Sequence, residues 1–124
     1  MTETETNLIA GLLKKSPKAQ QQMLDLYGRD VFAQVARIVS VIENAEEVYQ
    51  DVFIKVFNNI NRYNAEKSSL KTWISRIAYN ESINFLRHKG MPVIYSKIRA
   101  TRPRHYQIRR WTRPSDMPIR KRYN

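Results

Sequence analysis

The sequence predicts an all-α fold, a small bundle of three to four helices over residues 1–90, followed by a basic tail over residues 91–124. Three observations lead there. Apolar residues recur at helical spacing through the first ninety positions, and no period-two stretch is long enough to argue a sheet. Cap and breaker residues fall between those periodic runs, at Ser16-Pro17, Asn44, Ser68-Ser69 and Gly90. Charge also divides at Gly90. Residues 1–90 hold 12 Lys or Arg against 10 Asp or Glu, whereas residues 91–124 hold 10 against the single Asp116.

Leu8, Ile9, Leu12 and Leu13 form the apolar side of a short first helix that stops near Ser16-Pro17. Pro17 suits the first turn of the next helix, with Ser16 as its cap. That second helix is expected over residues 17–40. Met23, Leu24, Tyr27, Val31, Val35, Ile38 and Ile42 trace its stripe, and Gly28 weakens it by about 1 kcal/mol against Ala. Asn44 reads as the cap of a third helix over residues 45–60, with Glu46 and Glu47 in the first turn, where the helix dipole favours anions. Val48, Tyr49, Val52, Phe53, Val56, Phe57 and Ile60 make its apolar face. Opposite lie Glu47, Gln50, Asp51, Ile54, Lys55 and Asn58. Ile54 is then an apolar residue ringed by polar ones. It is either a stray exposed side chain or a small anchor for a protein partner, with Glu47 and Asp51 accepting from basic groups on that partner.

A polar loop with one aromatic and one cation, Asn61-Arg62-Tyr63-Asn64, precedes the fourth helix. Ser68 or Ser69 caps that helix, which runs without Gly or Pro to Gly90. At about 100° per residue, Leu70, Trp73, Ile74, Ile77, Ala78 and Phe85 share one face, and Thr72, Arg76, Tyr79, Ile83 and Arg87 the opposite one. The first face belongs to a core, and Trp73 is assigned to packing. The second mixes cations, an aromatic ring and hydrogen-bonding groups, which are what a nucleic-acid contact uses. Glu81 falls within the apolar stripe and must reach water or a partner such as Arg37 or Tyr49. The tail, with Pro92, Pro103, Pro114 and Pro118 among unperiodic cations and aromatics, is expected to be largely disordered in isolation.

A net charge of +11 points to a polyanionic partner, most naturally nucleic acid. Without cysteine there are no disulfides or thiolate metal sites, a composition compatible with a cytoplasmic protein. No run of about 18 apolar residues exists, so no membrane insertion is expected. His88 and His105 have no carboxylate near them in sequence, and no nucleophile–base pair is visible. Glu46, Glu47 and Asp51 lack further ligands to complete a metal site. No enzyme, cofactor or metal is therefore expected.

Two ordered motifs then stand out. Asn44-Ala45-Glu46-Glu47-Val48-Tyr49-Gln50-Asp51-Val52-Phe53-Ile54-Lys55 resembles the acidic D-A-E-D-x-x-Q-E-x-F-[IL]-[KR] helix of extracytoplasmic-function (ECF) sigma factors. Leu70-Lys71-Thr72-Trp73-Ile74-Ser75-Arg76-Ile77-Ala78-Tyr79-Asn80 resembles their [FL]-x-x-W-L-x-x-I-A-x-N helix, and Phe85-Leu86-Arg87 its end. Tyr27-Gly28-Arg29-Asp30-Val31-Phe32 is similar to the start of their long second helix. The resemblance spans most of residues 8–90 and implies region 2, the helical domain that docks on core RNA polymerase and opens the promoter minus-ten element. Carried over by position, Glu46, Glu47, Gln50, Asp51, Ile54 and Lys55 would face the clamp coiled coil of the largest polymerase subunit. Asn61, Arg62, Tyr63 and Asn64, with Ser68 and Ser69, would form the loop that receives a flipped base. Lys71, Thr72, Arg76, Tyr79, Asn80 and Arg87 would line the path of the non-template strand. An anti-sigma factor is a further partner that the resemblance implies. Residues 91–124 hold no two-helix pattern with a Gly turn, so a minus-35-reading helix-turn-helix is not evident. The competing reading is a small helical regulator that binds nucleic acid non-specifically through its basic tail.

Cutting the chain after Gly90 is accordingly expected to preserve the melting transition. It should also lower non-specific DNA affinity and flatten its salt dependence, because each lost phosphate contact contributes about 0.7–0.9 to the slope. Binding titrations at several salt concentrations measure both.

Overall fold

The computed structural model describes residues 2–93. Within them the fold is all-helical, as expected: α1 (Glu3–Leu13), α2 (Pro17–Ile38), α3 (Ile42–Asn58), a single 3₁₀ turn (Ile60–Arg62) and α4 (Leu70–His88). Residues 94–124 lie outside the described residues, and with them nearly all of the expected basic tail.

Local chemistry sets most of the boundaries. Thr2 caps α1 by accepting from the Glu5 N–H at 3.1 Å, so the acidic N-terminus is itself helical. Ser16 caps α2 ahead of Pro17, and Ser69, not Ser68, caps α4 by accepting from the Thr72 N–H at 3.1 Å. α1 and α4 end in the same six-residue turn. Ser16 N–H donates to the Gly11 carbonyl and Lys15 N–H to that of Leu12; Met91 N–H donates to Leu86 and Gly90 N–H to Arg87. That turn needs a left-handed residue. Gly90 supplies it at φ 68°, whereas α1 uses Lys15 at φ 58°. Gly11 has a separate reason to be glycine. A Cβ there would stand 2.7 Å from the Ala19 Cβ, so its absence lets α1 lie close against α2.

The third helix departs from expectation. It begins at Ile42 behind Val41, with no side-chain cap, and ends at Asn58. Asn44 is therefore inside the helix, and Glu43 is the first-turn acid in place of Glu46 and Glu47. The corner explains the shift. Only residues 39–41 join α2 to α3, Val39 is wholly buried, and Ala45 N–H already donates to the Val41 carbonyl. Val41, Ile42 and Glu43 are exposed, so the first N–H groups lie at the surface, where solvent can satisfy them without a side-chain cap.

α4 packs against both α2 and α3. Its buried arc, Leu70, Ile74, Ala78, Ser82, Ile83, Phe85 and Leu86, is wider than a helix with one partner would show. Ile83, expected on the outer face, is buried for this reason, while Trp73 and Ile77 are only half-buried. The buried Ser82 hydroxyl donates to the Ala78 carbonyl at 2.7 Å. Glu81 finds Lys55, a partner the sequence did not suggest, at 3.0 Å. An aromatic row, Phe32, Tyr49, Phe53 and Phe57, with centroids 5.1–5.9 Å apart, closes the α2–α3 interface. Burial pushes the Tyr49 phenol well above its ordinary value, with the Asp25 charge adding to it. Val93 packs against the core, so folded contacts run past Gly90 and the tail is better cut after Val93.

Lys15 marks a removable strain. A left-handed non-glycine residue costs roughly 1–2 kcal/mol, and glycine returns about half of that gain through its freer unfolded chain. Lys15→Gly is expected to stabilise the domain by about 0.5–1 kcal/mol and to raise the melting temperature by roughly 2–6 °C. Thermal unfolding followed by circular dichroism measures it.

Candidate functional site

The structure places the predicted residues on two surfaces. The first is on α3. Glu46, Glu47, Asp51 and Ile54 are partly exposed and Lys55 is exposed. Gln50 is not on this surface. It is 4% exposed, and its Oε1 is buried without a hydrogen-bond partner. Ile54 is half-buried, not a fully exposed residue ringed by polar ones. Both departures have one cause: α2 and α4 both pack on α3 and leave it a narrower outer face than a single-sided wheel implies. Lys55 extends to α4 and pairs with Glu81. Beside that pair, Asp51, Glu81, Asn84, Phe85 and His88 line a hollow of about 150 Å³ between α3 and α4.

The second surface combines the loop with the first turns of α4. Tyr63 is held rather than free. Its ring lies 5.4 Å from that of Trp73 at 52°, and its hydroxyl donates to the Ser68 carbonyl at 2.9 Å. The bond closes residues 63–68 into a compact turn. Burial raises the Tyr63 phenol above its usual value, and the Glu5 carboxylate of α1 adds to that. Tyr27 is raised by burial first, then by Glu5 and Tyr63. α1 also packs against the 3₁₀ turn that opens the loop. Asn64 Oδ1 accepts from the Glu66 N–H at 2.9 Å, so this side chain builds the turn. Ser69, besides capping α4, donates its hydroxyl to Thr72 Oγ1 at 2.9 Å. Asn61, Arg62 and Asn64 are exposed, and Ser68 is half-buried.

Past the loop, α2 and α4 run parallel with a constant offset of 41 positions. Asp30 Oδ2 faces Lys71 Nζ at 3.9 Å. Gln34 and Ser75 exchange two bonds: Gln34 Nε2–H donates to the Ser75 carbonyl at 3.0 Å, and the Ser75 hydroxyl donates to Gln34 Oε1 at 2.9 Å. Around this clasp open two adjoining hollows. One, of about 590 Å³, is lined by Gln34 and the α4 residues Lys71, Thr72, Ser75, Arg76, Tyr79 and Asn80. The other, of about 450 Å³, adds Asp30, Ala33, Arg37 and Ile38 of α2. Five predicted residues thus meet in one cleft. Arg87 does not join them, since it is exposed about 24 Å along the helix from Lys71. Sequence reasoning missed Asp30, Gln34 and the cleft-lining place of Arg37. Their helical spacing on α2 was visible, but only the parallel packing shows what that stripe faces.

Residues 23–91 match the family Sigma-70 region 2. The chain belongs to that family. The match spans α3, the loop and α4, and begins within α2, so α1 precedes it. Among curated proteins, the chain is 36% identical over 67 residues to a probable RNA polymerase sigma factor of Haemophilus influenzae, covering 54% of the chain and 33% of that protein. It is 27% identical over 86 residues to the ECF RNA polymerase sigma factor SigW of Bacillus subtilis (66% of the chain, 46% of that protein). It is 28% identical over 115 residues to the ECF RNA polymerase sigma-E factor of Haemophilus influenzae (93% of the chain, 60% of that protein). The chain thus spans between a third and three fifths of these relatives. No solved structure matches it significantly. Among the described residues, no helix is long and apolar enough to cross a membrane.

The region 2 loop offers a direct test of its Tyr63 strut. Tyr63→Phe keeps the ring against Trp73 and removes only the bond to Ser68. It is expected to lower stability by about 0.5–1.5 kcal/mol, and Tyr63→Ala to lower it further. Urea unfolding of both variants checks this; a free stacking residue would tolerate Phe without loss.

Proposed function

We propose that this chain acts as region 2 of an ECF-type sigma factor. In this reading it docks on core RNA polymerase through the outer face of α3 and holds the non-template strand of the minus-ten element along the loop and α4. The observation that carries the reading is the family match over residues 23–91, which takes in both surfaces. Two relatives bear ECF sigma-factor names, which supports the same conclusion.

On α3, the polymerase contact falls to Glu46, Glu47, Asp51, Ile54 and Lys55. Gln50 would join it only if its buried amide turned outward on docking. A half-buried Ile54 between carboxylates suits a partner presenting a small apolar pocket among cations. The clamp coiled coil of the largest subunit is that partner. On the loop and α4, exposed Asn61, Arg62 and Asn64 lie ahead of the cationic cleft. Breaking base pairs is costly, and a flipped base held by polar groups offsets part of that cost. Ser69, Asn64 and Tyr63 shape the loop, while Lys71 and Arg76 attract phosphates. An anti-sigma factor would compete for either surface.

The test separates the two surfaces. Ile54→Asp and Asp51→Arg are expected to weaken core polymerase binding in a direct titration while leaving helicity intact. Asn64→Ala is expected to lose roughly 1–3 kcal/mol of discrimination between a minus-ten strand and a scrambled one, read by fluorescence anisotropy with core polymerase present. Lys71→Ala should weaken both strands alike. Equal behaviour of the loop and cation variants would favour a non-specific nucleic-acid binder.

A further inference from the structure

The α2 wall of the cleft carries a cation of its own. Arg37 stands in the last turn of α2 and lines the hollow opposite Tyr79 and Lys71. Among the described residues it makes no hydrogen bond or ion pair, and its Nε is buried without an acceptor. A guanidinium has five donors and binds a phosphate through two at once. A buried Nε–H without an acceptor beside a cleft is a donor that an incoming anion would complete.

The surroundings narrow the choice of anion. Lys71, Arg76 and Arg37 line the two hollows against one carboxylate, Asp30, which is exposed and only 3.9 Å from Lys71. Volumes of about 450 and 590 Å³ lie within the roughly 300–1,000 Å³ of pockets that hold small ligands. From Lys71 to Tyr79 the cleft follows about 12 Å of helix, which suits a row of phosphates better than a single one. Tyr79, 38% exposed, adds an aromatic face. The Gln34–Ser75 clasp fixes the spacing of the two helices, so Gln34 is a positioning residue here.

We propose that Arg37 is a backbone-phosphate contact on α2, so that the cleft grips the sugar–phosphate backbone of single-stranded DNA from both helices. This rests on the reading above that a single strand follows α4. It adds a second wall and gives α2 a part in holding the strand.

The test uses the full chain and a short fluorescein-labelled oligothymidylate, titrated by anisotropy at several salt concentrations. The tail contributes equally to every variant, so differences report the cleft. Arg37→Gln is expected to bind about tenfold more weakly and to lower the salt slope by roughly 0.7, while Arg37→Lys keeps most of that slope. Arg76→Gln serves as the α4 control. Asp30→Asn, on an exposed side chain, is expected to tighten binding by removing the cleft's one carboxylate. If Arg76→Gln weakens binding while Arg37→Gln does not, the second wall is overturned and the strand path on α4 stands. If neither weakens it, both readings fall together. Should Arg37→Gln lose its melting transition, Arg37→Met takes its place, and unchanged binding by that variant overturns the proposal.

Discussion

The position of α4 between α2 and α3 is the constraint on which the rest depends. Leu70, Ile74, Ala78, Ser82, Phe85 and Leu86 are all at most 4% exposed, and they set the helix's rotation. Once that rotation is fixed, the helical period leaves Lys71, Thr72, Arg76, Tyr79 and Asn80 no place but the outer side. The same burial holds α2 parallel to α4, and Gln34 and Ser75 bridge the two helices where the cleft opens. Core packing and the cationic face are therefore one arrangement seen from two sides. A change that rotated α4 would spoil both.

Much of this was legible in the sequence. The apolar runs of α1 and α2, the Ser16-Pro17 start, the Ser69 cap and the Gly90 stop are local signals, and each was read from a few neighbouring residues. The residues that escaped depend on what lies across from them. Asn44 looked like a cap because its chemistry is right, but the short corner after Val39 starts α3 earlier. Gln50 falls opposite the apolar stripe on a single-sided wheel, and it is buried because α3 has neighbours on two sides. Ile83 failed for the same reason on α4. Glu81 was recognised as needing a partner, but Lys55, on another helix, could not be chosen from spacing. For the candidate site, the α4 residues of the cleft were legible from one helix alone. Asp30, Gln34 and Arg37 were not, because a parallel offset of 41 positions is a tertiary fact.

The loop shows how a segment too polar for a core can still be shaped. Tyr63 against Trp73, its hydroxyl on the Ser68 carbonyl, and Asn64 on the Glu66 N–H fix residues 63–68 by side chains that sequence alone would assign to ligand contact. This changes the division of labour. Tyr63 and Ser69 hold the loop and the helix start, so in the proposed reading the ligand contacts fall to Asn61, Arg62 and the exposed face of Asn64. A loop ordered in advance gives up less entropy on binding, so weaker contacts suffice to hold a strand.

The two proposed surfaces are also joined physically. Lys55 belongs to the α3 face, and its ion pair with Glu81 fastens that face to α4. The pair is partly exposed and contributes modestly to stability by itself. Its place matters more than its strength. A partner on α3 that drew Lys55 to its own carboxylates would leave Glu81, a carboxylate with only 19% of its side chain exposed, without its cation. That loss is unfavourable unless α4 adjusts or the partner supplies a cation in return. Acidic Glu46, Glu47 and Asp51 on the same face favour a basic partner, and such a partner would leave Lys55 where it is. The charge pattern of α3 therefore suits the proposed docking, because it would keep α4, and with it the cleft, in place.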